Sequence, residues 1–142
     1  ISLDKFLQDY SINSKRRYFM SLSVEELLRN ILEHGHKHEN GHLIDCIAVV
    51  KNGKIQIHIK DNLKEFDPCA YLEQFASDDP TQNIGLKLVG KIVDEMSYKR
   101  VHGFNIISFT KMRKLNNQKI YVNIFMRLKN YGQTNSRNHV RF

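Results

Sequence analysis

Three polar residues near the start of the sequence have the spacing of a helical stripe. Glu26, Asn30 and His34 follow one another at four-residue intervals. On an α-helix successive members are rotated by about 40°, so the three side chains form a stripe on one side. The stripe borders the apolar face, where a carboxylate, an amide and an imidazole can line a pocket between the helix and a sheet. The alternative is a solvated helix face.

Two further features downstream could contact a ligand. Asp61 follows the alternating segment 54–60, and a carboxylate at a strand end that faces a cavity can accept a hydrogen bond from an exocyclic amine. The alternative is an ordinary turn aspartate in Asp61-Asn62. Residues 83–86, Asn-Ile-Gly-Leu, enter a helical pattern. A glycine there lets backbone N–H groups approach an anion, although Gly85 could equally be a simple loop residue.

The order and spacing of these features resemble the histidine-kinase-like (GHKL) ATPase superfamily, and within it the anti-sigma factor serine/threonine-protein kinase branch. Residues 23–35, SVEELLRNILEHG, are similar to the E-x-x-x-N-x-x-x-H box of that branch. Residues 59–68, IKDNLKEFDP, are similar to its D-x-G segment with the F-[DN]-P that opens a lid. Residues 83–98 are similar to its G-x-G-L helix and the strand that follows. The resemblance spans residues 3–111.

The resemblance implies that the cofactors are ATP and Mg²⁺, and it implies a role for each motif residue. Glu26 would be the catalytic general base, Asn30 would bind the Mg²⁺ that bridges the phosphates, and Asp61 would bind the adenine amino group. Residues 66–83 would form the lid over the nucleotide. The other nucleotide-binding positions implied by the resemblance are His34, Phe66, Asn83, Gly85, Leu86 and Asn105.

The sequence departs from the family pattern at two positions. Leu63 stands where the family has the glycine of D-x-G, and it would bring a branched side chain close to the adenine. Asn83 stands where the first glycine of G-x-G belongs. Asn tolerates positive φ better than most residues, so Leu63 is the larger threat to ATP affinity.

The elements that must position these residues follow from periodicity and turn signals. Ser23 and Glu26 have the spacing of a capping box, which predicts a helix over 23–34 after a polar connector at 12–17. Asn52-Gly53 and His102-Gly103 predict the turns of two hairpins. The remaining predicted elements are a helix over 3–10, strands over 43–50, 54–60, 96–101 and 104–110, an irregular loop over 61–83 and a helix over 84–95. This order predicts an α+β fold, a two-layer sandwich of a mostly antiparallel (mixed) sheet covered on one face by helices.

The two ends of the sequence bear on which strand forms one edge of the sheet. The family usually has a strand ahead of its first helix, and residues 3–10 read as that helix. We therefore expect either a fragment of a longer protein or a strand from 118–127 at the vacant edge. The predicted organisation is an ATPase domain over 1–111 and a basic, Asn-rich extension over 112–142, which is expected to be disordered from residue 130.

Composition and charge exclude several classes of protein. The 142 residues suffice for one domain, and 41% hydrophobic with 26% charged residues is typical of globular chains. Residues 1–111 hold 15 basic and 15 acidic residues, so the net charge of +7 comes from 112–142. Because this excess lies in an Asn-rich extension and not on a folded surface, it argues against nucleic-acid binding. Apolar runs of a few residues predict no membrane span. Two cysteines without CxxC spacing favour a reduced, cytoplasmic setting.

A rival site lies in the loop after the first long helix. His34, His36, His38 and His42, with Glu39 among them, could chelate Zn²⁺ or Ni²⁺. A solvated polar loop is the alternative.

The leading hypothesis is an ATP/Mg²⁺-dependent protein serine/threonine kinase. By resemblance its partners would be a sigma factor and a STAS-type anti-anti-sigma protein that it phosphorylates on serine, with a possible homodimer. The alternatives are a non-catalytic protein-binding module with a decayed nucleotide site and the ATP-binding domain of a larger histidine-kinase-like signalling protein. DNA binding through the basic extension is a third possibility.

Overall fold

The computed structural model describes residues 2–35, 43–51, 54–74 and 83–112 with their side chains, and the backbone of 122–129. Within these ranges the chain forms four helices and five strands. The helices are α1 (Leu3–Asp9), α2 (Ser14–Gly35), α3 (Pro68–Gln74) and α4 (Ile84–Ile92), and the strands are β1 (Leu43–Lys51), β2 (Lys54–Asp61), β3 (Glu95–Val101), β4 (Phe104–Met112) and β5 (Val122–Lys129).

The strands form one sheet in the order β3-β4-β2-β1-β5, and every pairing among the described strands is antiparallel. Alternate residues of β2, among them Ile55, Ile57 and Ile59, are fully buried. Their side chains form the core with the apolar faces of α1, α2 and α4. Burial of this alternating face against amphipathic helices produces the α+β two-layer sandwich, and the predicted fold class is confirmed.

Helix α2 is longer than the predicted helix over 23–34. It begins at Ser14, so the expected polar connector at 12–17 is wrong. Asn13 caps this helix, since its Oδ1 accepts a hydrogen bond from the Arg16 N–H at 3.0 Å. Ser23 is therefore not an N-cap. It is buried in mid-helix and its hydroxyl donates to the Phe19 carbonyl at 2.8 Å, which satisfies the side chain without ending the helix.

A short helix interrupts the segment 61–83, which was predicted to be irregular. Helix α3 begins at Pro68, and proline is well suited to a first helical position because its missing N–H would have no partner there. Asp67 Oδ1 accepts hydrogen bonds from the N–H groups of Cys69 and Ala70 at 2.9 and 3.1 Å. The prediction of an irregular loop over 61–83 missed this capping.

In both hairpins, the first strand ends just before the predicted turn and the second strand begins just after it. The β3–β4 turn has positive φ at His102 and Gly103, 48° and 80°, as a two-residue turn of the favoured type requires. The Asn52-Gly53 turn lies outside the described residues. Helix α4 ends at Ile92, earlier than the predicted residue 95, because Val93 is already extended on the way into β3.

The edge of the sheet beside β1 is occupied by β5, which pairs antiparallel with it from Val122 to Lys129. The predicted strand over 118–127 overlaps this element, and its first four residues lie outside the described part of the chain, as do residues 130–142. None of the described helices is long and apolar enough to cross a membrane.

Candidate functional site

Asp61 is the last residue of β2 and one of the most deeply buried polar groups among the described residues, at 1% exposure. Its Oδ1 accepts hydrogen bonds from the Leu63 N–H at 2.9 Å and from Asn105 Nδ2 at 2.7 Å. Its Oδ2 is buried and has no hydrogen-bond partner among the described residues. Burial raises the pKa of Asp61, while these hydrogen bonds and the charge of Arg100 act in the opposite direction. One carboxylate oxygen thus remains available to a donor from a ligand.

Asn105 lies in β4 directly opposite Asp61 and is equally buried. Its Oδ1 accepts hydrogen bonds from the guanidinium of Arg100 at 2.5 Å and from the hydroxyl of Tyr98 at 2.9 Å. Its Nδ2 donates to Asp61 and to the carbonyl of Lys64 at 3.0 Å. The asparagine therefore connects strand β3 to the carboxylate and to the loop after β2.

Leu63 packs against the end of helix α2. The side chain is 2% exposed, and a Cβ placed on Gly35 would lie 2.8 Å from the Leu63 Cβ. Gly35 therefore supplies the space that the branched side chain needs. The departure from the family's D-x-G pattern is accommodated within the packed interior.

An aromatic cluster joins the end of α2 to the segment that begins the expected lid. The rings of His34 and Phe66 are stacked, with centroids 4.7 Å apart and planes inclined by 15°. Tyr71 of α3 lies 6.0 Å from His34 and 5.9 Å from Phe66. Phe66 is nearly buried in this cluster. Two predicted nucleotide-binding residues are thus in direct contact with each other.

Glu26 of helix α2 packs against the beginning of helix α4, close to Gly85. A Cβ on Gly85 would overlap the Glu26 carboxylate, so this approach requires glycine. Oε2 is the carboxylate oxygen nearest to Gly85, and Oε1 accepts a hydrogen bond from Arg29 at 2.7 Å. The Glu26 side chain is 12% exposed and that of Arg29 is 56% exposed. Glu26 is thus held at the junction of two helices, with its ion-pair partner on the surface.

Asn30 lies one turn after Glu26 on the same helix. Its Nδ2 donates to the Glu26 carbonyl at 2.6 Å. Within the described part of the chain, Oδ1 takes part in no hydrogen bond. Amide oxygen is a ligand that Mg²⁺ accepts, so the free end of the side chain has the chemistry that a magnesium site needs.

Helix α4 begins after Asn83, which is in the left-handed conformation with φ 55°. Asparagine thus adopts the positive φ that the family's glycine would supply. The Lys87 N–H donates to the Asn83 carbonyl at 3.0 Å and forms the first bond of the helix. The amides before it, including those of Gly85 and Leu86, have no acceptor within the helix and are available to an anion. The Leu86 side chain is buried in the core.

The structure groups the predicted site residues into three contacts: Glu26 with Gly85, Asp61 with Asn105, and His34 with Phe66. Asn30 joins the first through its bond to the Glu26 carbonyl. His36, His38, Glu39 and His42 of the rival metal site lie outside the described residues.

Sequence reasoning missed Arg29, Arg100 and Tyr98. The two-residue turn at 102–103 places Arg100 opposite Asn105, so the hairpin alone could have indicated that pair. The ion pair of Arg29 with Glu26 could have been inferred from their spacing of three residues on a helix.

Comparisons with known proteins show which family and which solved structure the chain is similar to. The family model of the histidine kinase-like ATPase domain matches residues 2–111. Among solved structures, the chain is similar to the histidine kinase domain from the Erythrobacter litoralis EL346 blue-light activated histidine kinase, with a TM-score of 0.50 and 20% identity. The match covers 67% of this chain and 43% of that one. No curated protein gives a significant match.

The chain belongs to the histidine kinase-like ATPase domain family. The fold, with helices on one face of an antiparallel sheet, is the one that this family shares with the light-activated kinase domain. The chain spans less than half of that solved kinase domain.

Proposed function

We propose that this domain binds ATP with Mg²⁺ and transfers the γ-phosphoryl group to a protein serine or threonine. The observation that carries the proposal is the buried, unpartnered Oδ2 of Asp61. A desolvated acceptor without a donor is costly, and the 6-amino group of adenine is a donor of the right kind. Adenine binding would supply the hydrogen bond that this oxygen lacks.

Asn30 and the beginning of α4 support phosphate and metal binding. The Asn30 Oδ1 would bind Mg²⁺, which when present neutralises negative charge on the phosphate oxygens. The N–H groups of Gly85 and Leu86 would donate to the phosphates, aided by the dipole of α4. His34 and Phe66 would contact the nucleotide from the end of α2, where their rings already stack.

Glu26 would act as the general base. In the transfer, the hydroxyl oxygen forms a bond to the γ-phosphorus, the bond to the bridging oxygen breaks and ADP leaves. The hydroxyl proton passes to the Glu26 carboxylate. Because Oε1 is paired with Arg29, Oε2 is the oxygen that carries no ion pair and is suited to accept the proton.

The partner proteins are proposed from the motif similarity alone. The E-x-x-x-N-x-x-x-H box formed by Glu26, Asn30 and His34 is similar to that of anti-sigma factor kinases. We therefore propose a sigma factor as the bound partner and a STAS-type antagonist as the phosphorylated one, with a cytoplasmic location and a possible homodimer.

Calorimetry with ATP, with and without Mg²⁺, tests the nucleotide site directly. Micromolar, Mg²⁺-dependent binding that Asp61→Asn weakens about 100-fold would support the proposal. Turnover of γ-labelled ATP is then compared between the unmodified chain and Glu26→Ala. We expect the variant to retain ATP binding and to lose phosphoryl transfer, whereas Glu25→Ala, one residue earlier on the same helix, should retain both.

The second candidate is a non-catalytic binding module, and Leu63 is the residue that favours it. Leu63 replaces the family's glycine two residues after Asp61, and its side chain packs on Gly35. Absence of ATP binding in the unmodified chain, restored by Leu63→Gly, would contradict the kinase proposal and support a decayed site.

A further inference from the structure

We call Asp61, Asn105 and the loop 62–64 the base end of the site. At this end, three residues on three adjacent strands lie side by side. Arg100 of β3 is directly opposite Asn105 of β4, and Asn105 is directly opposite Asp61 of β2. Hydrogen bonds of 2.5 and 2.7 Å join them in that order. Arg100 is exposed while the other two residues are 1% exposed, so the row leads from the surface into the interior.

The orientation of the Asn105 amide follows from its two donors. Arg100 and Tyr98 both donate to Oδ1, which can only accept. The Nδ2 end must therefore point to the opposite side, where it donates to Asp61 Oδ1. With the amide rotated by half a turn, an oxygen would face the carboxylate and no hydrogen bond could form.

The same contacts decide which oxygen of Asp61 is free. Oδ1 is saturated by donors from Asn105 and the Leu63 N–H, and Oδ2 has no partner among the described residues. Arg100 also approaches the Leu63 carbonyl at 3.4 Å, and Asn105 donates to the Lys64 carbonyl at 3.0 Å. The row thus restrains both the carboxylate and the loop that follows it.

We propose that Arg100 is a positioning residue for base recognition, acting through Asn105 to hold Asp61 with Oδ2 directed toward the exocyclic amino group of the base. This inference rests on the proposed ATP binding. Arg100 does not touch the nucleotide. It selects for a 6-amino purine by keeping one carboxylate oxygen occupied and the other free.

The discriminating experiment compares ATP with purine riboside triphosphate, which lacks the 6-amino group. Arg100→Ala should weaken ATP binding by about 5-fold, the size of one ordered hydrogen bond, and leave binding of the analogue nearly unchanged. Tyr98→Phe removes the second donor to Asn105 Oδ1. It should change the ratio of the affinities for ATP and for the analogue in the same direction, by a smaller factor. Equal losses for both nucleotides would mean a merely structural role and would overturn the proposal.

Lys99→Ala is the matched control. It removes a neighbouring exposed cation, but Lys99 lies opposite Ile106 rather than Asn105, so the ratio of the two affinities should stay constant. Failure of the proposed ATP binding would give a different result. The unmodified chain would then bind neither nucleotide, or Asp61→Asn would bind ATP as tightly as the unmodified chain.

A second measurement does not require nucleotide. The carboxyl carbon of Asp61 is titrated by NMR in the free protein, in Arg100→Ala and in Lys99→Ala. Arg100 and the hydrogen bond from Asn105 both lower the pKa of Asp61, so Arg100→Ala should raise it further while Lys99→Ala does not. An unchanged pKa in Arg100→Ala would overturn the coupling, whatever the nucleotide results.

Discussion

The base end and the phosphate end of the candidate site are built in opposite ways. At the base end, Asp61 and Asn105 are each 1% exposed and are joined by a 2.7 Å hydrogen bond. At the phosphate end, which comprises Asn30, Glu26 and the beginning of α4, Glu26 is paired with Arg29, whose side chain is 56% exposed. Groups at the base end are positioned by folding itself, whereas those at the phosphate end can rearrange at small cost in stability.

The comparison predicts that substitutions at the base end change stability and binding together, and that substitutions at the phosphate end change the reaction alone.

The largest effect is expected for Asp61→Asn. In the variant, an amide N–H group takes the place of Oδ2. Two hydrogen-bond donors, this N–H group and the adenine amino group, would then face each other. We expect ATP affinity to fall about 100-fold, the cost of a charge-assisted hydrogen bond. Calorimetry measures the loss. Affinity within a few-fold of the unmodified chain would show that Asp61 does not bind the base.

Asp61→Asn should also change the pH dependence of stability. Burial raises the pKa of Asp61 in the folded chain above its unfolded value. The folded state then binds the proton more tightly, so the unmodified chain loses stability as pH rises from the unfolded pKa through the folded pKa. The free energy of unfolding of the variant, which lacks this group, should fall less over that window. Urea unfolding at several pH values measures the difference, and parallel profiles would contradict it.

Gly35→Ala is expected to destabilise the fold. The new Cβ would lie 2.8 Å from the Leu63 Cβ and 2.9 Å from its Cδ1, which is closer than packed carbons tolerate. The free energy of unfolding should fall by about 2 kcal/mol, measured by urea denaturation. In a Leu63→Gly background the same change should be neutral or stabilising, because the clash is gone and alanine favours the helix. An equal cost in both backgrounds would rule out the contact.

Gly85→Ala, in contrast to Gly35→Ala, should change turnover more than stability. Its Cβ meets the flexible end of Glu26, which can rotate away, so stability should change by less than about 1 kcal/mol. Displacement of the proposed general base should lower turnover about 10-fold. Gly90→Ala in the same helix is the control, because its Cβ would approach Leu72 rather than Glu26. Full turnover in Gly85→Ala would remove Glu26 from the reaction.

The smallest effect on stability is expected for Arg29→Ala. The ion pair with Glu26 is largely exposed on the arginine side, so its loss should change the free energy of unfolding by about 0.5 kcal/mol or less. The change should shrink further at high salt. A loss of several kcal/mol would show that the phosphate end is as rigid as the base end.

Local signals in the sequence predicted most of the fold. The turn at His102-Gly103 and the alternation in 54–60 predicted strands that the structure confirms. The early start of α2 was missed because its cap, Asn13, lies in a polar stretch without an apolar pattern. The row from Arg100 to Asp61 depends on pairing of β2 with β4, which are separated by two helices, a strand and the segments between them, and no local signal specifies that pairing.

The candidate site divides in the same way. The stripe of Glu26, Asn30 and His34 could be predicted because all three residues lie on one helix. The contact of Glu26 with Gly85 and the stacking of His34 on Phe66 join distant segments, so only the family resemblance placed these residues in one site. Leu63 was expected to crowd the adenine, whereas the structure shows its side chain packed on Gly35.

The contact between Gly35 and Leu63 has an evolutionary consequence. Gly35 is required for space and not for backbone conformation, so the two positions share one fixed volume. A larger residue at 35 can be accepted only after position 63 has become smaller. That order leads through a cavity, whereas the reverse order leads through a clash. Among members of this family the two positions should therefore vary together, and a lineage that regains glycine at 63 becomes free to lose it at 35.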